Sequence, residues 1–240
     1  MQVVIDLDNV PQAVRRRGLA YMADRLATSL SWRILQHHRR VDLRLYGGWY
    51  TENQFTTRAE EVSAEVDRDF PRIVTTVDDS GRQWKSRVSA GLAYGLRCAP
   101  SEQVFNTYRQ RRGVPRVSRS GCLTPECATE GCPIPGVQKM MQTGRCSKGG
   151  CSTRLADIFR RGEQKLVDGM MSADLMSLHL GGEEHLAVVS ADDDLWPTLR
   201  LLLSRGQNIY HVKPVGSNRE SFYDVPDLPG VGRYLQLQLQ

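Results

Sequence analysis

Apolar and polar positions along this chain alternate between two periods, and the switches mark the elements. The run Val3-Val4-Ile5, within residues 1–7, is short, apolar and uninterrupted, which predicts a buried strand. Over residues 18–37, Leu19, Met22, Leu26, Leu30 and Ile34 recur at helical spacing. Val41, Leu43 and Leu45 then alternate with polar residues, and Gly47-Gly48 ends the predicted strand. Residues 53–67 are polar with helical tendency. Residues 72–77 are β-rich and run into the turn cluster Asp78-Asp79-Ser80-Gly81. This order, β-α-β-α-β, is the grammar of a parallel sheet with crossover helices.

The periodicity lapses between residues 83 and 154 and resumes afterwards. Residues 165–180 predict a helix whose stripe is Leu166, Met170, Met171, Leu175 and Leu178. A strand over 186–190, a helix over 195–204 with Pro197 in its first turn, and a strand over 207–212 follow. Leu and Gln alternate over 234–240, as an edge strand does. The expected fold is therefore an α/β parallel sheet flanked by helices and interrupted by an insert. Its first part spans residues 1–82, an irregular Cys- and Arg-rich insert spans 83–154, and the second part spans 155–240. So long an irregular stretch needs local support of its own. No internal repeat is present.

Composition narrows the class. The 240 residues are 40% hydrophobic and 25% charged, enough for one large domain or for one domain plus a small insert. No apolar run reaches the roughly 20 residues of a membrane span. The N-terminal stretch lacks a basic start and is broken by Asp6 and Asp8, unlike a signal peptide. A cytoplasmic protein without membrane contact is the expectation. Of the six cysteines, Cys98 stands apart, while Cys122, Cys127, Cys132, Cys146 and Cys151 crowd into the insert. In a reducing compartment such a group points to metal or free thiols rather than disulfides. The x4 spacings are not those of a standard zinc ribbon. Cys122, Cys127, Cys146 and Cys151 are the candidate structural Zn²⁺ ligands, with free thiols as the alternative. The net charge is +5. Arg109, Arg111, Arg112, Arg116 and Arg119 share a segment without acids, and Arg15, Arg16 and Arg17 follow the first acidic motif. Arg109, Arg111, Arg112 and Arg116 are candidates for a nucleic-acid backbone, the alternative being solvated loop charge.

Chemistry in an open parallel sheet gathers at the carboxyl ends of its strands. Asp6-Leu7-Asp8-Asn9 follows the first predicted strand, and Asp192-Asp193-Asp194 follows the one over 186–190. Residues two apart in extended chain project to one side, so Asp192 and Asp194 can converge, as can Asp6 and Asp8. Asp168 opens the helix leading into the second of these strands. Asp174, six residues on, lies about 120° around that helix, so the two cannot face one ion; Asp168 takes the metal and Asp174 a supporting role. Crowded carboxylates stay ionised beside a cation, and an all-oxygen set suits Mg²⁺ or Mn²⁺. Helix caps and turns are the structural alternative for these aspartates, Asp193 or Asp194 above all.

Four stretches in order carry a resemblance. Val3 to Asn9 (Val-Val-Ile-Asp-Leu-Asp-Asn) resembles the opening strand of NYN domains, a PIN-like nuclease group. Arg44-Leu45-Tyr46-Gly47 is similar to their second strand. Lys165-Leu166-Val167-Asp168, with Asp174 behind it, resembles their Lys-x-Val-Asp helix start. Ser190-Ala191-Asp192-Asp193-Asp194-Leu195-Trp196-Pro197 resembles their Ser-x-Asp-x-Asp-aromatic-x-Pro motif, except that Leu195 stands at the aromatic position. The resemblance implies a PIN-like fold and metal-dependent hydrolysis of phosphodiesters, usually in RNA. It implies that Asp6, Asp168, Asp192 and Asp194 hold the ion, that Asn9 orients Asp6 or the scissile phosphate, and that Asp8, Asp174 and Lys165 support them. The insert exceeds what such a domain needs.

Two other readings fit the same residues. In a haloacid-dehalogenase-type phosphatase, Asp6 would be the nucleophile, Asp8 the acid/base, Asp192 and Asp193 Mg²⁺ ligands, and Lys165 the phosphate partner; no Ser/Thr motif follows the second or third strand. In a non-catalytic RNA-binding module, the arginines and the insert would bind RNA and the aspartates would be vestigial.

Overall fold

A computed structural model describes residues 1–112, 134–158, 160–214 and 230–239. Its elements in chain order are β1 (Gln2–Asp6), α1 (Gln12–Arg15), α2 (Leu19–Leu35), β2 (Arg40–Tyr46), β3 (Tyr50–Thr51), β4 (Gln54–Phe55), α3 (Thr57–Asp69), β5 (Arg72–Val77), β6 (Gln83–Leu92), β7 (Gly95–Leu96), β8 (Ala99–Gln103) and β9 (Tyr108–Arg112). Then come α4 (Ile134–Thr143), α5 (Leu155–Ile158), β10 (Arg160–Gln164), α6 (Val167–Leu180), β11 (His185–Val189), a 3₁₀ turn (Asp193–Leu195), α7 (Trp196–Ser204), β12 (Asn208–Pro214) and β13 (Tyr234–Leu239).

The chain is a mixed α/β protein built on a seven-stranded sheet of order β13-β12-β11-β1-β2-β6-β5. Every neighbouring pair is parallel except β5 with β6. Side chains alternate across β1, and both faces are covered. Val3 and Ile5 pack with Leu26 and Leu30 of α2 and Val62 of α3, whereas Val4 packs with Met171 and Leu175 of α6 and Leu199 and Leu202 of α7. Full burial of each such side chain stabilises the fold by about 1.5–3 kcal/mol.

Three features differ from the sequence pattern. The strand over 72–77 is not a further parallel strand: β5 turns back antiparallel onto β6 at the sheet edge. Asp78 forces that turn, its carboxylate accepting from the Ser80 and Arg82 amides, the Ser80 hydroxyl and the Trp84 indole. The division of the chain also falls at other bounds than residues 83–154, starting later and ending later. β6 belongs to the main sheet, and the chain divides into one compact unit of residues 1–108 and 164–240 and a second of 109–163. The helix predicted over 18–37 is two helical segments joined at Ser31, whose φ is 61°.

The connection out of β1 runs through α2 on one face, and the connection out of β11 runs through α7 on the other. β1 and β11 are neighbours, so their carboxyl ends flank the point where the winding reverses, the place at which such sheets leave a crevice. Among the described residues no helix is long and apolar enough to cross a membrane.

Candidate metal centre

Asp6 is the last residue of β1 and shares the side of Val4, the face covered by α6. It is buried, and local bonds fix it. Its Oδ1 accepts the Asp8 amide at 3.0 Å, its Oδ2 accepts the Asn9 side-chain amide, and its carbonyl accepts the Asn9 backbone amide at 3.2 Å. The neighbouring strand ends in the same local geometry. Asp192 Oδ1 accepts the Asp194 amide at 3.0 Å and so caps the 3₁₀ turn, while the Asp192 amide donates to Ser190 Oγ at 3.0 Å. Capping therefore falls to Asp192, not to Asp193 or Asp194, and it leaves Asp194 facing Asp192.

Asp168 enters from the other side, in the first turn of α6, where the helix dipole favours an acid. Leu166, with φ 65°, starts that helix, and the Lys165 amide anchors it on the Thr107 carbonyl at 2.9 Å. One carboxylate oxygen from each of Asp168, Asp192 and Asp194 lies within 4.8 Å of the others. Opposed ligands of a Mg²⁺ or Mn²⁺ ion are about 4.2 Å apart, so a small inward movement of side chains closes this set on a hard cation. Asp6 stands outside that group but within electrostatic reach. Burial, then the charges of Asp192, Asp6 and Asp194, push Asp168 up to about 6. Burial likewise raises Asp6, against the lowering effect of its bonds to Asn9, and Asp192 adds to the rise. Crowded, partly desolvated carboxylates of this kind are what a divalent cation relieves.

Asp8 does not converge with Asp6. It turns to Arg58 in the first turn of α3, to Arg15 of α1 (3.4 Å) and to the Gln164 side chain. As an acid/base for a nucleophilic Asp6, it faces the wrong partners. Asp174 is completely buried and turned from the cluster, as its angular offset from Asp168 requires. Its carboxylate accepts from Arg44 Nε (2.7 Å), the Tyr46 hydroxyl and the Arg97 amide (2.7 Å). Its support is mechanical: it ties α6 to β2. Burial, then Asp174, raises the Tyr46 hydroxyl far above its usual range.

Beneath the cluster, His211 of β12 bonds the Ser190 carbonyl through Nε2 at 3.0 Å and Tyr234 through Nδ1 at 2.8 Å. A carbonyl only accepts, so Nε2 carries the proton and Nδ1 accepts from the Tyr234 hydroxyl. Burial holds this imidazole neutral, at about 4. The pair braces the backbone from which Asp192 springs.

The second unit, residues 109–163, holds Cys146 and Cys151 in a tight loop closed by the bridge between Arg145 and Arg154. Hydrogen bonds from Thr153 and then from Cys146 lower the Cys151 thiol. Cys122, Cys127 and Arg116 lie outside the described residues, and Cys98 is exposed. Arg109 is exposed on β9, and the backbones of Arg111 and Arg112 continue that strand. Sequence reasoning missed Arg58, Gln164, Arg44, His211 and Tyr234. Only Arg44 carried a signal, a cation set between Leu43 and Leu45 in a strand covered on both faces.

Fold and site together define an α/β protein with a carboxylate cluster able to hold a metal ion at the carboxyl edge of its sheet. Comparison of the chain with protein-family models, curated proteins and solved structures finds no match in any of the three.

Proposed function

We propose that this protein is a metal-dependent nuclease of the PIN-like type, hydrolysing phosphodiester bonds, with RNA the expected substrate. The observation that carries this reading is the convergence of Asp168, Asp192 and Asp194 at the winding reversal, beside an Asp6 locked in place by Asn9. Asp168, Asp192 and Asp194 would hold Mg²⁺ or Mn²⁺, with Asp6 completing the set. A hard divalent cation there supplies a water of lowered pKa and stabilises charge gathering on a phosphoryl group. The protein's part is positioning. Asn9 and the Asp8 amide aim Asp6, the 3₁₀ turn aims Asp192 and Asp194, and the first turn of α6 aims Asp168. The phosphatase reading is weaker, because Asp8 is committed to Arg58 and Arg15. The cysteines of the second unit are proposed to bind structural Zn²⁺, with Cys146 and Cys151 as one half of the site.

The test is cleavage of RNA and of single-stranded DNA with Mn²⁺ or Mg²⁺ by wild type, Asp6→Asn and Asp192→Asn. Metal-dependent cleavage lost in both variants is the expected result. Folded wild-type protein that cleaves neither polymer refutes the reading.

A further inference from the structure

Four aromatic rings gather just past the carboxyl ends of β2 and β6, on the same sheet edge as the aspartates. Tyr50 is buried at the centre. Phe55 stacks on it with ring centroids 4.8 Å apart and an interplanar angle of 25°, and Tyr94 lies 5.1 Å from Phe55. Phe105 meets Tyr50 edge-on at 5.1 Å. The outer rings are not covered: Phe55 is 48% exposed and Phe105 42%. Leaving such a side chain in water forgoes on the order of 1–3 kcal/mol. Here two of them are braced from behind by tyrosines, which holds their outer faces rigid and presented.

The arginines next to these rings say what covers them. Arg58 is three residues beyond Phe55, across the Thr56 cap of α3. With Arg15 it shares the single carboxylate of Asp8, and Arg58 Nη2 and Arg15 Nε are buried without partners. Arg58 also lies within electrostatic reach of Asp6 and Glu61, so what the two guanidiniums offer an adjoining phosphate is their unpartnered N–H groups rather than surplus charge. A flat apolar surface beside arginines suits a polymer of flat rings on a phosphate backbone.

We propose that Phe55 and Phe105 form a stacking platform for unpaired bases of single-stranded nucleic acid, with Arg58 and Arg15 holding the adjoining phosphate. Bases in a duplex already stack on one another and cannot use the platform. The chemistry this would serve rests on the nuclease reading; the binding does not.

The test is fluorescence anisotropy of a short labelled single strand and of its duplex, without added divalent metal, on the full chain. The single strand should bind at least about tenfold more tightly than the duplex. Phe55→Ala and Phe105→Ala should each weaken it by about 5- to 100-fold without altering the salt dependence, and Phe55→Trp should restore binding. Arg58→Gln should reduce the salt slope by about 0.7. Equal binding of duplex and single strand, alanine variants that bind as wild type does, or a folded Phe55→Trp as weak as Phe55→Ala would each overturn the platform. The two readings fail separately. Phenylalanine-dependent binding without metal-dependent cleavage sinks the nuclease alone, and cleavage indifferent to both phenylalanines sinks the platform alone.

Discussion

Replacing Asp168 by Asn should make the metal-free protein more stable and the metal-loaded protein less so. Burial and three neighbouring aspartates raise the Asp168 carboxyl from its ordinary 3.8 to about 6 in the folded chain. A folded-state pKa above the unfolded one means that the folded state binds more protons between those two values. Stability from this group is thus full below pH 4 and is lost as pH rises through 6. At pH 7.5 the whole penalty is present. The shift corresponds nominally to about 3 kcal/mol at 1.36 kcal/mol per unit. Asp168 is only half-buried, so solvent screening reduces this to about 1 kcal/mol. Asparagine has the same shape without the charge. Its variant should melt about 2–4 °C higher than wild type in chelator at pH 7.5, and the gain should vanish near pH 4. His211 titrates in the opposite sense over an overlapping window, because its folded pKa is depressed to about 4, but it is common to both proteins and cancels in the difference. Mn²⁺ at about 100 times its dissociation constant should then stabilise wild type by about 2.7 kcal/mol and the variant by far less, reversing the order. The measurement is calorimetry of both proteins with and without Mn²⁺. A variant that melts lower in chelator, or that gains as much from Mn²⁺ as wild type, refutes the argument.

Three further outcomes follow from the same geometry. Asn9→Ala removes the side-chain donor on Asp6 and should weaken Mn²⁺ binding by about tenfold or more in titration calorimetry; an unchanged affinity would take Asn9 out of the site. Asp174→Ala leaves Arg44 unpaired in a buried setting and should cost about 3–5 kcal/mol in urea unfolding, so an unaltered midpoint would contradict the buried pair. Gly232→Ala would drive a Cβ into the Gln207 carbonyl oxygen, a backbone atom that cannot yield locally. It should destabilise by about 1–3 kcal/mol, and wild-type stability would show that β13 is free to shift.

Legibility in the sequence followed burial on both faces. β1 and β11 are continuous apolar runs ending in Asp-x-Asp, so strand and acidic site were read together from residues 3–8 and 186–194. β6 was not read, because polar pairing stands in for apolar side chains along it. Ser86 donates to the His38 carbonyl and Ser89 bonds Asp42, so a strand inside the sheet carries the polarity of a loop. Equal spacing also did not mean equal geometry. Asp192 and Asp194 converge, but Asp8 is drawn off by Arg58, Arg15 and Gln164, residues remote in the chain that no local pattern connects to it. Arg15 was visible as part of a basic run, whereas Arg58 sat in a helix of mixed charge with nothing to single it out.

The bond between the Thr107 carbonyl and the Lys165 amide has a meaning beyond anchoring α6. It clips together the two points where the main unit releases the chain after residue 108 and takes it back at residue 164. To the sheet, everything between is a parenthesis. A short turn joining the same two points is expected to preserve β1, β11, α6 and the four aspartates, all of which lie in the main unit.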